Sequence, residues 1–526
     1  MFIYKFMGGI VDTVNYEEEE FDPHHHRKIE KPTSYADTMI HLLKGSIGAG
    51  ILAMPDAVSR VGIVAGVAGI FLIGVFAAYC IQLLIAVQYM LCKRCQCGYM
   101  AYPKSMRVAL EGGPPCLRRG AACLARVVDV TLVLWQLGIC CVYVVFVAEN
   151  IKQVCDFYGR VLNVRLHICL LLPPLVMVNM VKDLKLLTPL SSISNAVTIL
   201  ALILTFFYLI EDDVTLEPEK MQIKSLTDIP VFIGITLFAL EAVGVVLALE
   251  YNMENPKQFV GLFGLFNVGM SIILLLYVMV GTFGYLKYGA DISASITLNL
   301  PHHEKKAQVA KLTFGLAIFL TFPLQNFVAY NILWRKLKKR TRPQRQRACD
   351  FSLRLLLILV PWALAVLVPR LGPFISLFGA LCLSLLAIVF PALMDLCFWY
   401  PDRYGCCRYR LLRDLCILLV GLLCLTSGCY TSHHTHWSSL PHLKTTIGSP
   451  SCERVPSYYA IIRKDGSPDS GLTYCGIHNS LDWVGGVRAL RDSHVRLVLR
   501  QLRHIERLNR ALDPIPPPRF PVPICP

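Results

Sequence analysis

The chain has 526 residues, of which 55% are hydrophobic and 17% are charged, and its formal net charge is +15. Soluble proteins carry about 25% charged residues, so this composition excludes an ordinary soluble domain and indicates a helical protein with many membrane spans. The positive charge does not require nucleic acid, because basic residues collect in the cytoplasmic loops of membrane proteins. We therefore predict the lipid bilayer, and no nucleic acid, as a partner.

The start of the chain is polar and includes the acidic run from Glu17 to Glu20. It lacks the apolar core of a cleavable signal peptide, and a polar segment of mixed charge buries too little apolar surface to fold by itself. We predict that residues 1–37 are a disordered cytoplasmic lead. His24 to His26 lie beside Asp22, but a flexible tract provides no ordered metal site, so none is predicted.

About eleven apolar runs follow, most of them near the ~20 residues that a helix needs to cross a bilayer. Their approximate limits are 38–60, 63–91, 124–149, 166–181, 189–210, 229–251, 259–286, 309–334, 353–370, 373–399 and 410–430. They predict an all-α polytopic membrane domain at residues 38–430 with about 11 transmembrane helices. A divergent polar tail occupies residues 431–526.

The loops between these spans indicate the orientation of the chain. Lysine and arginine are concentrated after the second, eighth and tenth spans, most densely from Arg335 to Arg347. The loop after the fifth span is acidic, with Glu211, Asp212 and Asp213. With about eleven spans the basic loops share one side, which the positive-inside rule assigns to the cytoplasm. The N-terminus is then cytoplasmic and the tail extracytosolic.

The first span contains a stretch, His41 to Pro55, that suits a continuous helix poorly. It has three glycines and then a proline, and in a helix glycine costs roughly 1 kcal/mol and proline about 3 relative to alanine. Broken backbone survives in a membrane only where protein buries it or where it lines a cavity. We predict a discontinuous helix whose free backbone groups bind a small polar ligand through Gly45, Ser46, Gly48, Ala49 and Gly50. The alternative is close packing of helices on small residues.

The sixth span has similar features. It holds Glu241 mid-membrane and glycines at 234 and 244. A charge at the bilayer centre costs about 2.5–3.5 kcal/mol on insertion scales, so such a residue usually faces a cavity or a partner. Phe238, Ala239 and Glu241 are therefore further candidates for the ligand site. The alternative for Glu241 is a protonated carboxyl group bonded to a neighbouring helix.

Two broken helices separated by five spans predict a five-plus-five inverted repeat with its site near the middle of the membrane. The N-terminal end of a half-helix offers N–H groups to a carboxylate, and unwound carbonyl groups accept from an ammonium. An amino acid zwitterion carries both of these groups. An amino acid is therefore the ligand class that the pattern favours.

Three motifs in this order resemble the proton-coupled amino acid transporters of the amino acid/auxin permease superfamily. They are the HLLKGxIGxGxLxxP pattern of His41 to Pro55, the run Phe238 to Glu241 followed by Gly244 to Leu247, and the run Ser295 to Pro301. The resemblance covers about residues 35–430. Ala242 departs from the glycine expected after the glutamate, which would narrow the pocket, and the tail resembles nothing in the family.

The resemblance implies the five-plus-five fold with one extra helix. It also implies symport of small neutral amino acids with protons at the plasma membrane or the lysosome, and nutrient-signalling partners for some members. It implies no cofactor. Selectivity is expected to depend on the third span around Gln136 and Val142, among other side chains.

For proton coupling, His41 is the side chain beside the break whose unperturbed pKa of ≈ 6.5 lies in the physiological range. Glu241 is the second candidate. The alternative for His41 is a structural hydrogen bond to a neighbouring helix.

Two rival functions use the same pocket. One is sodium-coupled transport, with Thr321, Gln325 or Asn326 of the eighth span helping the carbonyl groups to bind the ion. The other is an amino acid sensor that does not transport and signals through its N-terminal lead. An enzyme is not predicted, because the sequence contains no nucleophile–base pair or metal-ligand spacing.

Overall fold

The computed structural model describes residues 21–27, 29, 32–180, 184–210, 218–222, 226–240, 243–401, 404–405 and 408–438. Within these ranges the protein is helical, and the β pairing among them is an isolated parallel bridge between Thr33 and Met253. Glu241, Ala242 and the predicted tail from residue 439 onward lie outside the described residues.

The α-helices are numbered in chain order. They are α1 Tyr35–Ser46, α2 Ala49–Leu52, α3 Met54–Val61, α4 Ile63–Arg94, α5 Tyr102–Glu111, α6 Pro115–Arg118, α7 Ala121–Phe157, α8 Val164–Asn179, α9 Leu184–Ile210, α10 Pro218–Met221, α11 Ile229–Ala239, α12 Val243–Asn252, α13 Leu265–Tyr288, α14 Lys305–Arg340, α15 Gln346–Leu367, α16 Leu371–Phe378, α17 Phe390–Phe398 and α18 Tyr409–Ser438. A π-helix, Gly379–Val389, joins α16 to α17 without a break. Short 3₁₀ helices occur at Pro23–His26, Leu226–Asp228, Pro256–Gln258, Gly289–Asp291, Ile296–Asn299 and Pro343–Arg345.

Every predicted span contains a helix, and seven helical segments of the described ranges are long and apolar enough to cross a membrane. The prediction of an all-α polytopic membrane protein is confirmed. The number of about eleven crossings stays a prediction. The last apolar span ends at Tyr430, and its helix continues to Ser438.

The outer surface of the bundle is apolar, as lipid contact requires. Helix α18 is an example, because large exposed side chains recur along it at intervals of three and four residues. They are Leu412, Leu415, Leu419, Leu422 and Leu423. A soluble protein rarely exposes a continuous apolar stripe of this kind. The stripe therefore marks the face that α18 turns toward the hydrocarbon.

Contacts between segments show which helix ends lie at the same face of the helix bundle. At one face, the ring centroids of Tyr99 and Tyr251 lie 4.5 Å apart, and Lys336 at the end of α14 pairs with Asp129 at the start of α7. At the other face, the Lys311 ammonium near the start of α14 donates to the Leu300 carbonyl at 2.9 Å. This grouping agrees with a chain that changes sides at each predicted span.

Part of the N-terminal lead is ordered against the first face. Arg27 donates from Nη1 to the carbonyl oxygens of Tyr251 at 2.5 Å and Met253 at 2.9 Å. The backbone of Thr33 exchanges hydrogen bonds with Asn252 and Glu254, both 2.9 Å. The prediction of disorder up to residue 37 is therefore wrong for this part. The polar composition did not indicate this order, because the partners lie in another segment. They are carbonyl groups at the end of α12, and the last carbonyl groups of a helix have no N–H donor within the helix.

His24 belongs to the same contact. Its ring stacks on Tyr89 with a centroid distance of 4.7 Å. Burial lowers the pKa of His24 to about 4, because removal from water disfavours the charged imidazolium. The ring is therefore neutral near pH 7 and packs as an aromatic side chain rather than as a cation.

The grouping of helix ends leads to a topological prediction. The N-terminus and the loop from Arg335 to Arg347 should be cytoplasmic, and the chain beyond Ser438 should be on the other side. Protease added to sealed, right-side-out membranes should remove a C-terminal tag and spare an N-terminal one. Detergent-opened membranes, in which both tags are cut, are the control. Removal of the N-terminal tag alone would contradict this topology.

Candidate functional site

The first predicted span is interrupted at its glycines, as the sequence pattern predicted. Helix α1 ends at Ser46, Ile47 and Gly48 are not helical, and α2 begins at Ala49. A turn at Ala53 then leads into α3, whose second residue is Pro55. The prediction of a discontinuous first helix is confirmed.

The sixth span is interrupted at the same depth in the protein. Helix α11 ends at Ala239, Leu240 forms a turn, and α12 begins at Val243. The two interruptions touch, because a Cβ atom added to Gly50 would lie 2.5 Å from the Ala239 Cα. Only glycine allows this approach of the two backbones.

Gly48 has a different environment from Gly50. The nearest described atom that a Cβ at Gly48 would meet is the Tyr143 hydroxyl oxygen, at 3.9 Å. Close packing, the alternative reading of the glycine pattern, therefore applies at Gly50 but not at Gly48. Among the described residues, a methyl group added at Gly48 would meet no contact closer than an ordinary van der Waals distance.

Tyr277 of α13 links the two interruptions. Its hydroxyl oxygen lies 2.7 Å from the carbonyl oxygen of Ser46 and 2.6 Å from that of Ala239. These are the last residues of α1 and α11, and the tyrosine side chain is fully buried. A hydroxyl has one proton to donate, so it satisfies one carbonyl group at a time. Three oxygen atoms thus meet at one buried point, and an ammonium group is a donor that suits such a set.

Tyr277 was not predicted from the sequence. A tyrosine within an apolar run has no spacing signal of its own, and its two partners are 231 and 38 residues away. The usable signal is chemical, since a tyrosine hydroxyl buried in a membrane protein must find a partner. That requirement does not reveal which partner it finds.

Helix α7 provides a wall beside the interruptions. The Trp135 ring meets the Phe238 ring edge-on, with centroids 5.3 Å apart, and Val142 is fully buried. Two buried polar atoms, Ser46 Oγ and Gln136 Oε1, have no hydrogen-bond partner among the described residues. Buried polar groups are normally bonded, so these two atoms mark positions where a polar ligand would be accommodated.

The tenth predicted span contacts α11 through glycines. A Cβ on Gly379 would lie 1.9 Å from the Gly234 carbonyl oxygen, and one on Gly234 would lie 2.5 Å from the Ser376 carbonyl oxygen. The π-helix begins at Gly379, and π-helical turns within α-helices occur frequently at functional sites. The helix that carries Phe238 and Ala239 is therefore packed tightly against an irregular neighbour.

The predicted site residues fall into three groups. Those brought together and buried at the two interruptions are Ser46, Ala49, Gly50, Phe238 and Ala239, with Gly45 and Gly48 partly buried beside them. His41 is exposed and lies off the buried stripe of α1, which consists of Thr38, Leu42 and Ser46. Glu241 lies outside the described residues.

Two of the predicted sodium-binding helpers already have partners on other helices. The Thr321 hydroxyl is bonded to Ser194 Oγ and the Ala317 carbonyl oxygen, both at 2.8 Å. The Asn326 amide donates to Asn179 Oδ1 at 3.0 Å. These contacts join α14 to α9 and α8.

Residues 31–433 match the family described as "Transmembrane amino acid transporter protein". The chain belongs to this family. The predicted relationship to the amino acid/auxin permease superfamily is thereby confirmed, and membership of a transporter family also agrees with the prediction that the protein is not an enzyme.

Two relatives of this transporter align over most of its length. It is 35% identical over 410 residues to the "Proton-coupled amino acid transporter-like protein pathetic" of Drosophila melanogaster, covering 78% of this chain and 86% of the relative. It is 24% identical over 415 residues to the "Probable amino acid transporter skat-1" of Caenorhabditis elegans, covering 75% and 88%.

Solved transporter structures share distant similarity. The inward-facing conformation of Mhp1 aligns with 82% of this chain and 94% of its own, at 12% identity and a TM-score of 0.49. A Na⁺-coupled sialic acid symporter aligns with 82% and 98%, at 11% identity and a TM-score of 0.41.

The different environments of the two glycines predict different effects of the same substitution. Gly50→Ala should destabilise the transporter by about 1–3 kcal/mol, because overpacking forces a backbone shift. Gly48→Ala should leave stability close to wild type, since 3.9 Å is an ordinary contact distance. Thermal unfolding of the two purified full-length variants measures the difference. Equal loss of stability would show that the approach of Gly50 to Ala239 is not tight.

Proposed function

We propose that the protein is a secondary active transporter that moves small neutral amino acids together with protons by alternating access. The observation that carries the proposal is the meeting of the Ser46 and Ala239 carbonyl groups at the Tyr277 hydroxyl. Two helices that end side by side in the membrane, with their backbone available, are typical of transporter substrate sites. Family membership and the printed name of the Drosophila relative give independent support.

The chemistry of the site suits an amino acid. The substrate ammonium would donate to the carbonyl oxygens of Ser46 and Ala239, and the carboxylate would accept from N–H groups near Gly48. Trp135, Val142 and Phe238 offer apolar surface to the substrate side chain. A charged side chain would lose its hydration against such surface without compensation, which favours neutral substrates.

We assign the coupling proton to His41, with Glu241 as the second candidate. His41 is exposed on α1, five residues before the helix ends at Ser46. A group at that position is reached by water when the adjoining helix moves, which a proton carrier needs. Binding of substrate and proton would then favour each other, because thermodynamic coupling between two ligands is mutual.

Sodium coupling is the close rival. A sodium ion would use the carbonyl groups of the interrupted helices as ligands, with Thr321, Gln325 or Asn326 as possible helpers. Asn326 donates through its amide nitrogen to Asn179, and its Oδ1 atom is buried with no hydrogen-bond partner among the described residues, so that this oxygen is open to an ion. We rank the proton first because His41, a side chain able to carry a proton, lies just before the interruption of the first span. A sensor without transport would need the same pocket, and the ordered contact of Arg27 with the end of α12 would connect the N-terminal lead to it.

The membrane is proposed to be the plasma membrane or the lysosomal membrane, in accord with the family resemblance. We also propose nutrient-signalling partners, because the family resemblance implies nutrient signalling for some members. Neither assignment changes the transport chemistry of the site.

Tyr277→Phe tests the proposed substrate site. The ring stays and the hydroxyl is removed, so that the two buried carbonyl groups lose the one proton available to them, at a cost of about 1–3 kcal/mol. Uptake of labelled neutral amino acids into proteoliposomes should lose roughly tenfold or more in apparent affinity.

Tyr330→Phe is the matched control for this test. Its hydroxyl also donates a hydrogen bond, to Asp350. Tyr330 lies on α14, away from the interruptions. Folded Tyr277→Phe protein with wild-type affinity would place the substrate elsewhere.

His41→Ala tests the proposed coupling. The variant should reach the membrane, because the side chain is exposed, but lose the rise in uptake and current as external pH falls from about 7.5 to ~5.5. Recording in solutions of controlled pH, with and without sodium, separates proton symport from sodium symport and from a silent sensor. A variant that keeps the wild-type acid response would move the coupling proton to another group.

A further inference from the structure

A buried group of charged side chains lies outside the substrate site, between α17 and α18. Arg413 pairs with Asp395, and it donates from Nη2 and Nε to Asp414 Oδ1 at 2.7 and 2.9 Å. Asp395 also accepts from the Trp399 indole at 3.0 Å. The two carboxylates are 1% and 0% exposed, so water does not share in solvating them.

The surrounding elements contribute mostly uncharged groups. From α4, the Tyr79 hydroxyl contacts Arg413, and Cys80 lies beside it. Tyr404 and Tyr409 face the group from the loop and from the start of α18. Another cation of the described residues, Arg410, stacks on the Trp399 ring with its guanidinium carbon 3.8 Å from the ring centroid. Arg413 is the cation that lies directly between the carboxylates.

Both carboxylates contact the same Nη2 atom of Arg413, so they lie close to each other. Asp414 Oδ2 is buried and has no hydrogen-bond donor in the part of the chain that the structure describes. Two ionised carboxylates in contact repel strongly where water is excluded, as in paired carboxyl groups that share a single proton. A proton on one of them removes the repulsion and supplies the missing donor, while Arg413 balances the remaining charge.

We propose that Asp395 and Asp414 form a proton-binding site, in which one proton is shared between the two carboxyl groups beside Arg413. The site is distinct from His41 and Glu241. In the predicted topology, the site lies toward the cytoplasm, near the end of α17 and the start of α18.

The site is connected to the interrupted helices through one continuous helix. Asp395 lies on α17, which continues from the π-helix that begins at Gly379 against Gly234 of α11. A movement of α11 would therefore act on the helix that carries Asp395. That the shared proton is released and rebound during transport rests on the proposed function; the existence of the site does not.

Infrared spectroscopy of the purified full-length protein tests the site directly, because protonated and ionised carboxyl groups absorb at different frequencies. At neutral pH, part of the protonated-carboxyl band should disappear in Asp414→Asn and, separately, in Asp395→Asn. In each variant the remaining carboxylate is neutralised by Arg413 and needs no proton. Asparagine has the shape of the protonated acid, so both variants should fold.

Two further variants sharpen the result. Glu111→Gln, at an exposed pair with Arg107, is the control and should leave the band unchanged. Arg413→Gln removes the balancing charge, so the band should grow as both carboxyl groups become protonated. A band that neither asparagine variant reduces would overturn the proposal, because a merely structural ion group would hold no proton.

Uptake measurements decide the role of the site separately. Asp414→Asn should flatten the dependence of uptake on pH in proteoliposomes. If the infrared band is reduced but the pH dependence of uptake is unchanged, the proton-binding site is supported and its role in proton coupling is contradicted. If wild-type protein shows no uptake, the proposed function fails, while the infrared result still decides the site.

Discussion

The structure depends on one constraint: a backbone carbonyl group inside a bilayer needs a hydrogen-bond donor. Helices α1 and α11 both stop within the protein, and the carbonyl groups of Ser46 and Ala239 are left at the same point. Tyr277 meets both from α13. The position of α13 against the interrupted helices follows from this requirement.

Glycine provides the packing that brings these backbones together. Gly50 allows contact with Ala239, and the pair Gly234 and Gly379 allows α11 to contact the π-helix. Small residues permit such close approach between membrane helices, where there is little hydrophobic driving force for association. The result is a continuous path of tight contacts from the first interrupted helix through α11 to the tenth span. Larger side chains, such as Trp135 and Phe238, then shape the space beside that path.

Two arginines connect separate segments through backbone and carboxyl partners. Arg27 satisfies carbonyl groups at the end of α12, and Arg413 lies between two buried carboxylates. Both arginines use the fork of donors that makes guanidinium suitable for such sites. The positive-inside rule explains which face the basic loops occupy, but the rule concerns charge counts and does not identify these partners.

The sequence by itself determined the class of protein, the family and the positions of both interruptions, because those depend on composition and on local spacing of glycine, proline and charge. It also identified Ser46, Gly50, Phe238 and Ala239 as neighbours of the interruptions. Only the tertiary structure decided that Tyr277 joins them, that His41 is exposed, that Arg27 orders part of the lead, and that Asp395 and Asp414 both contact Arg413. Each of these is a contact between segments, or the orientation of a side chain among several helices. Spacing along one chain carries no information about such contacts until the helices are packed.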